Sequence, residues 1–115
     1  MQNTVSSSNT KLYGFLSNDI INNLILRIVT AANLDTATQM TYNLHLFRHL
    51  RLRLDTFVVD QLTDKDLEKL YDLKQRNASQ AELLQFFKQK IPQFEQRLEL
   101  FLEQLFQEKK KALHS

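Results

Sequence analysis

Apolar residues recur along most of this chain three and four positions apart, the spacing of helices that each bury one face. Ile20, Leu24 and Ile28, flanked by Ile21, Ile25 and Val29, give a broad apolar face and predict a helix over 18–33. Ser17 or Asn18 can cap its start, and Asp19 suits the positive end of the helix dipole. Asn33 and Asp35 punctuate, and Asp35 or Thr36 caps a longer helix over 36–62. In that helix Met40, Leu44, Phe47, Leu54 and Val58 share a side at about 100° per residue, with Leu50 and Phe57 beside them. Tyr42, His45, His49, Arg53 and Asp60 fall opposite. At about 1.5 Å per residue it is on the order of 40 Å long, enough to be the spine of a small domain.

Thr63-Asp64-Lys65-Asp66 has the spacing of a capping box with Asp in place of Glu, and predicts a helix over 64–76. Leu67, Leu70, Tyr71 and Leu73 are its expected inward residues, and Asn77 its terminator. Ser79-Gln80-Ala81-Glu82 is a second capping box, opening a helix over 80–91 with Leu83, Leu84, Phe86, Phe87 and Ile91 as its apolar residues. Pro92 disfavours helical geometry at Ile91 but suits the first turn of a further helix over 92–112. Phe94, Leu98, Phe101, Leu105 and Phe106 make an aromatic-rich stripe along it. Lys109, Lys110 and Lys111 close it where positive charge suits the dipole. Residues 1–10 are polar and aperiodic, so the expected domain plan is a flexible tail over 1–11 and a single helical domain over 12–115. Leu12, Tyr13 and Phe15 around Gly14 predict a short turn whose aromatics dock on the core.

Composition agrees. One glycine and one proline in 115 residues leave little material for hairpins, and 43% hydrophobic residues fit a globular chain. The expected fold is all-α: a compact bundle of about five helices with one long central helix. The absence of cysteine excludes disulfides, thiolate metal sites and a cysteine nucleophile. The apolar run 20–32 is interrupted by Asn22, Asn23 and Arg27 and is too short to span a bilayer, so the expectation is a cytoplasmic protein with no membrane span. A net charge of +2 is mildly basic and does not by itself indicate nucleic acid.

Several short patterns stand together: Arg51-x-Arg53-Leu54, Asp60-Gln61-Leu62-Thr63-Asp64-x-x-Leu67-Glu68, Phe86-Phe87 and Ile91-Pro92-x-Phe94. Over residues 45–110 this combination resembles a small family of uncharacterised bacterial helical proteins, a domain of unknown function. Phe86 stands where that family usually has Trp, and Phe94 where Tyr is common. The resemblance implies a helical fold and a bacterial, cytoplasmic setting; it implies no activity and no site.

Three features carry candidate chemistry. His45 and His49, four apart, place two imidazoles on one helix face, but no third ligand has diagnostic spacing and there is no H-E-x-x-H, so no metal and no cofactor are expected. Arg48, Arg51 and Arg53, with Lys109, Lys110 and Lys111, form the basic cluster. It can contact phosphates, or it can cover the core edge and pair with Asp55, Asp60, Asp64 or Asp66. Leu98, Phe101, Leu102, Leu105 and Phe106 form a broad apolar band that a small domain with eight Phe is expected to leave partly exposed as a protein interface. No nucleophile elbow, phosphate loop or paired acid and base appears, so no enzyme is expected. The reading is a non-enzymatic helical module for protein–protein interaction, an accessory subunit or adaptor, with a protein partner or a homo-oligomer. The alternative is a small RNA- or ribosome-associated factor using the basic cluster.

Overall fold

The computed structural model describes residues 14–114, so the expected tail, the remainder of the 1–11 segment, and Leu12 and Tyr13 lie outside the described residues. Five helices and no strand form among the described residues: α1 Asn18–Ala32, α2 Thr36–Asp60, α3 Asp64–Gln75, α4 Gln80–Lys90 and α5 Phe94–His114. The fold is an all-α bundle.

Local chemistry sets the boundaries. Each of the first four helices opens on a side-chain oxygen that accepts an otherwise unsatisfied backbone N–H. Ser17 accepts from the Asp19 amide at 3.1 Å, Asp35 from Thr38 at 2.8 Å, and Thr63 from Asp66 at 3.2 Å. Ser79 and Glu82 complete a reciprocal box, each side chain taking the other's amide at 3.1 Å. The Thr38 amide first, then the Thr38 hydroxyl, hold the Asp35 carboxyl below its ordinary pKa of 3.8. At the far ends, Asn33 (φ 54°) and Asn77 (φ 58°) take the left-handed conformation. Around Asn77 the amides of Asn77 and Ala78 return to the carbonyls of Lys74 and Leu73, a Schellman closure.

The last helix starts two residues later than the sequence suggests. Ile91 is extended, Gln93 is left-handed (φ 54°), and α5 begins at Phe94. Ile91 and Phe94 are both buried while Pro92 and Gln93 face solvent, so the pair Pro92-Gln93 forms the turn between two core anchors.

The core runs through all five helices. On α2 it is the four-spaced ladder Leu46, Leu50, Leu54 and Val58. Ile21, Leu24 and Ile28 of α1, Leu70 of α3, Leu83 and Phe87 of α4, and Leu105 of α5 close on it, with Ile91 and Phe94 at the turn. Helix α1 packs against both α2 and α5, α3 against α4, and α4 against α5. The molecule measures 43 × 38 × 21 Å, and its short dimension is about two helix diameters. A two-layer arrangement leaves outward faces that no other helix covers.

That geometry corrects several expectations. Met40 and Leu44, placed on the buried side of α2, are 74% and 56% exposed, while Tyr42, placed opposite, is half-buried against the core. The buried face is therefore rotated toward Leu46 and Leu50. Apolar residues occur around so much of α2 that spacing alone does not fix which arc faces inward. Tyr71 and Leu84 are partly in solvent, each 39% exposed.

Candidate interaction surface

The apolar band of α5 turns mostly inward. Leu105 is fully buried, and Leu98, Phe101, Leu102 and Phe106 are half-buried and packed on the core. Phe101 stacks on Phe57 of α2 with ring centres 4.5 Å apart and planes 16° from parallel. The Arg27 guanidinium of α1 lies 4.2 Å from the Phe106 ring centre. The band is thus the seam by which α5 joins α1 and α2, with Leu98, Phe101, Leu102 and Phe106 left partly exposed along it. The large apolar residue that α5 does present is Leu100, 66% exposed. With Arg27, Gln96, Glu99, Leu102 and Glu103 it lines an open groove of about 670 Å³. Arg27 and Glu103 pair across that groove at 3.0 Å. Gln107 first, then Arg27, hold the Glu103 carboxyl below the ordinary 4.5, so it is an ion-pair partner rather than a proton donor near neutral pH.

The basic cluster is divided among internal partners. Arg53 donates to Glu108 at 2.9 Å and lies 5.8 Å from the Phe101 ring centre. Lys109 shares the same Glu108 carboxylate at 3.6 Å, and the Lys110 ammonium sits 5.8 Å from the Phe106 ring centre. Arg53 before all others, with Lys109 contributing, holds Glu108 below 4.5. Arg51 donates to the side chain of Asn18 and lies over the Phe47 ring at 5.2 Å. Arg48 and Lys111 are exposed and make no ion pair among the described residues. Of the anticipated acidic partners Asp55 feels the charge of Arg51, but the direct side-chain contacts of Arg51 and Arg53 are to Asn18 and Glu108, and Asp66 pairs with Lys90 at 3.9 Å.

His45 and His49 are exposed on α2. Burial first, then the positive charges of Lys109 and Arg53, lower the His49 imidazole from its ordinary 6.5, against the opposing pull of Glu108. No group of three or more His, Cys, Asp or Glu side chains able to hold a metal ion occurs among the described residues.

Asp55 is the buried charged residue of the described chain, 5% exposed. Its carboxylate accepts the backbone amides of Gly14 at 3.1 Å and Phe15 at 3.3 Å. Burial raises its pKa above 3.8, while those amides and the charges of Arg51 and Lys74 pull the other way. Burial also lowers Lys74, with Asp55 opposing. The carboxylate clasps the segment entering α1, whose Phe15 and Leu16 are buried. Gly14 has φ +74°, a conformation that favours glycine, and a Cβ there would displace the Arg51 guanidinium that lies over it. Asp55 had a sequence signal only as an arginine partner; its amide contacts join residues 41 and 40 positions apart.

Besides Leu26 of α1 and Leu100 of α5, the more than half-exposed large apolar side chains lie on one side of the first two-thirds of α2. Met40, Leu44 and Leu52 are 74%, 56% and 55% exposed. With Arg48 they occupy successive four-residue steps, so their side chains follow one ridge of the helix. Between Thr36 and Leu54 the helix carries Arg48, Arg51 and Arg53 and neither Asp nor Glu.

No protein-family model, curated protein or solved structure matches the chain. Among the described residues no helix is long and apolar enough to cross a membrane.

Proposed function

We propose that this chain is a non-enzymatic helical interaction module, an accessory subunit or adaptor that binds a protein partner through the uncovered side of α2. The observation that carries the reading is the ridge of Met40, Leu44 and Leu52, large apolar side chains more than half exposed and aligned on one helix. Single exposed leucines are ordinary on a soluble protein, whereas an aligned set is the footprint of helix-in-groove or helix-on-helix docking. The motif residues shared with the bacterial helical family serve the fold in this chain: Thr63 caps α3, and Phe86, Phe87, Ile91 and Phe94 are core. That resemblance supports a bacterial, cytoplasmic helical protein.

The test is paired affinity capture from the cells that make the protein, with wild type and Leu44→Asp as baits and nuclease present throughout. A partner held by wild type and lost by Leu44→Asp, at unchanged thermal stability, supports the reading. Identical retention by both baits removes α2 as the docking face. The nucleic-acid alternative draws on the acid-free stretch of α2 with exposed Arg48, and on Lys111. Arg51, Arg53 and Lys109 are engaged within the fold, which leaves that reading fewer cations to offer phosphates.

A further inference from the structure

We infer that the partner seated on α2 is an amphipathic helix with acidic flanks, an inference that rests on the docking role proposed for this face. Three properties of the surface carry it: its length, its composition and its sign of charge.

From Met40 to Leu52 is twelve residues, about 18 Å or a little over three helical turns. A partner helix lying along this ridge presents its own apolar residues at three- and four-residue spacing to Met40, Leu44 and Leu52. Arg48 falls inside the row rather than beside it, so the partner must meet a guanidinium as well as apolar side chains. A carboxylate is the group that satisfies it, bidentately where the geometry allows. The flanking side chains reinforce this demand. His45 and His49 lie on the exposed part of the same helix, and Arg51 adjoins the ridge. The nearest acidic residues in sequence are Asp35, which caps the start of α2, and Asp55, which is buried under Gly14 and Phe15. Glu108 of α5 offsets Arg53 and reaches His49, and Asp55 feels the charge of Arg51. Among the described residues the charge left without an ion-pair partner on the ridge is therefore that of Arg48, and the helix itself carries no carboxylate between Thr36 and Leu54.

The same asymmetry argues against a second copy of this chain. Two such faces set against each other would bring arginine toward arginine with no acid on either ridge, and like charge at a desolvated contact opposes association. A lipid surface is served poorly by three apolar side chains and no lysine or aromatic ring on the ridge. Three anchors make an interface at the small end of the usual range, below about 1,200 Å², and place the complex among transient ones.

The experiment uses the full chain and designed peptides of helical propensity with Leu at matching three- and four-residue spacing, flanked by Glu in one version and by Lys in the other. Peptide anisotropy gives Kd, and backbone amide shifts of the labelled protein give the binding site. The expected result is Glu-flanked binding at least about tenfold tighter than Lys-flanked binding, with shifts at Met40, Leu44, Arg48 and Leu52. Leu44→Asp is expected to weaken it about tenfold or more, and Arg48→Glu to reduce or invert the charge preference, both at unchanged Tm because both side chains are exposed. Equal binding of both peptides at the ridge overturns the acidic assignment while leaving the docking role intact. Absence of any shift on α2 with either peptide overturns both. Two further arms use vesicles of phosphatidylserine and phosphatidylcholine and a single-stranded RNA of about 20 nucleotides. Binding of either that Leu44→Asp abolishes assigns the ridge to that surface and overturns the inference.

Discussion

Helices α5 and α2 both carry apolar side chains at helical spacing over most of their length, and both invite description as a binding face. In α5 the band of Leu98, Phe101, Leu102, Leu105 and Phe106 lies between α1 and α2, with Leu105 wholly buried and Phe101 stacked on Phe57. In α2 the ladder Leu46, Leu50, Leu54 and Val58 is covered, but Met40, Leu44 and Leu52 around the helix from it are not. The difference arises from neighbours rather than from hydropathy. A bundle 21 Å thick has only enough layers to cover one side of each helix, so a helix with more apolar surface than one side holds must show the rest. The first break in this comparison would come from a paired truncation. Leu105→Ala is expected to cost about 2–5 kcal/mol in urea unfolding, the range for a buried leucine leaving a cavity. Leu44→Ala should fall within about 0.5 kcal/mol of wild type. Similar losses at both sites would mean that the two helices are buried alike.

Asp55 sharpens the comparison at the other end of α2, where the same helix is covered by backbone rather than by a helix. Asp55→Ala removes the acceptor of the Gly14 and Phe15 amides and is expected to cost about 1–3 kcal/mol, the penalty for stranding buried donors. The pH dependence gives a second readout. With its folded pKa raised above 3.8, Asp55 binds a proton more readily in the folded state. Its contribution to stability therefore grows as pH falls from the folded value through 3.8. Glu103 and Glu108, held below 4.5, act in the opposite sense: their stabilisation is present above 4.5 and is lost as pH falls through their folded values. Asp55→Ala should accordingly lose stability more steeply than wild type on acidification, as measured by urea midpoints from neutral pH downward. Parallel curves would place Asp55 outside the titrating set.

The parts of this fold that were legible from the residues are those decided within a few positions. Ser17, Asp35, Thr63 and Ser79 cap helices because their oxygens reach amides two or three residues on, and Asn77 ends α3 by its own tolerance of positive φ. Choices made across the fold were not legible. Which arc of α2 faces inward depends on where α1 and α5 lie, so Met40 and Leu44 read as core and stand in solvent. Whether Arg53 is open to a phosphate depends on Glu108, 55 residues away, and nothing near Arg53 announces it. The clasp of Asp55 on Gly14 joins the chain's sole glycine to a carboxylate 41 positions on, a pairing no periodicity encodes. The band on α5 was visible, but its direction was not.

Glu108 tests the remaining distinction between the two helices, that the cations on α2 and α5 are neutralised where they meet. It accepts from Arg53 at 2.9 Å and lies 3.6 Å from Lys109, on a surface that leaves its side chain 48% exposed. Solvent screening limits what such a pair contributes, so Glu108→Gln should change stability by less than about 1 kcal/mol. The substitution releases two cations at once, adjoining His49 and Lys110, and raises the formal net charge of +2 by one. If the basic cluster is quiet because it is paired, single-stranded RNA at low salt should bind Glu108→Gln more strongly than wild type, with a steeper salt dependence. The acidic amphipathic peptide should be indifferent to the change, since Arg48, Leu44 and Leu52 do not touch Glu108. Wild-type RNA binding already as tight as that of Glu108→Gln would show that the pairing does not restrain the cluster, and would move the nucleic-acid reading ahead of the protein-binding one.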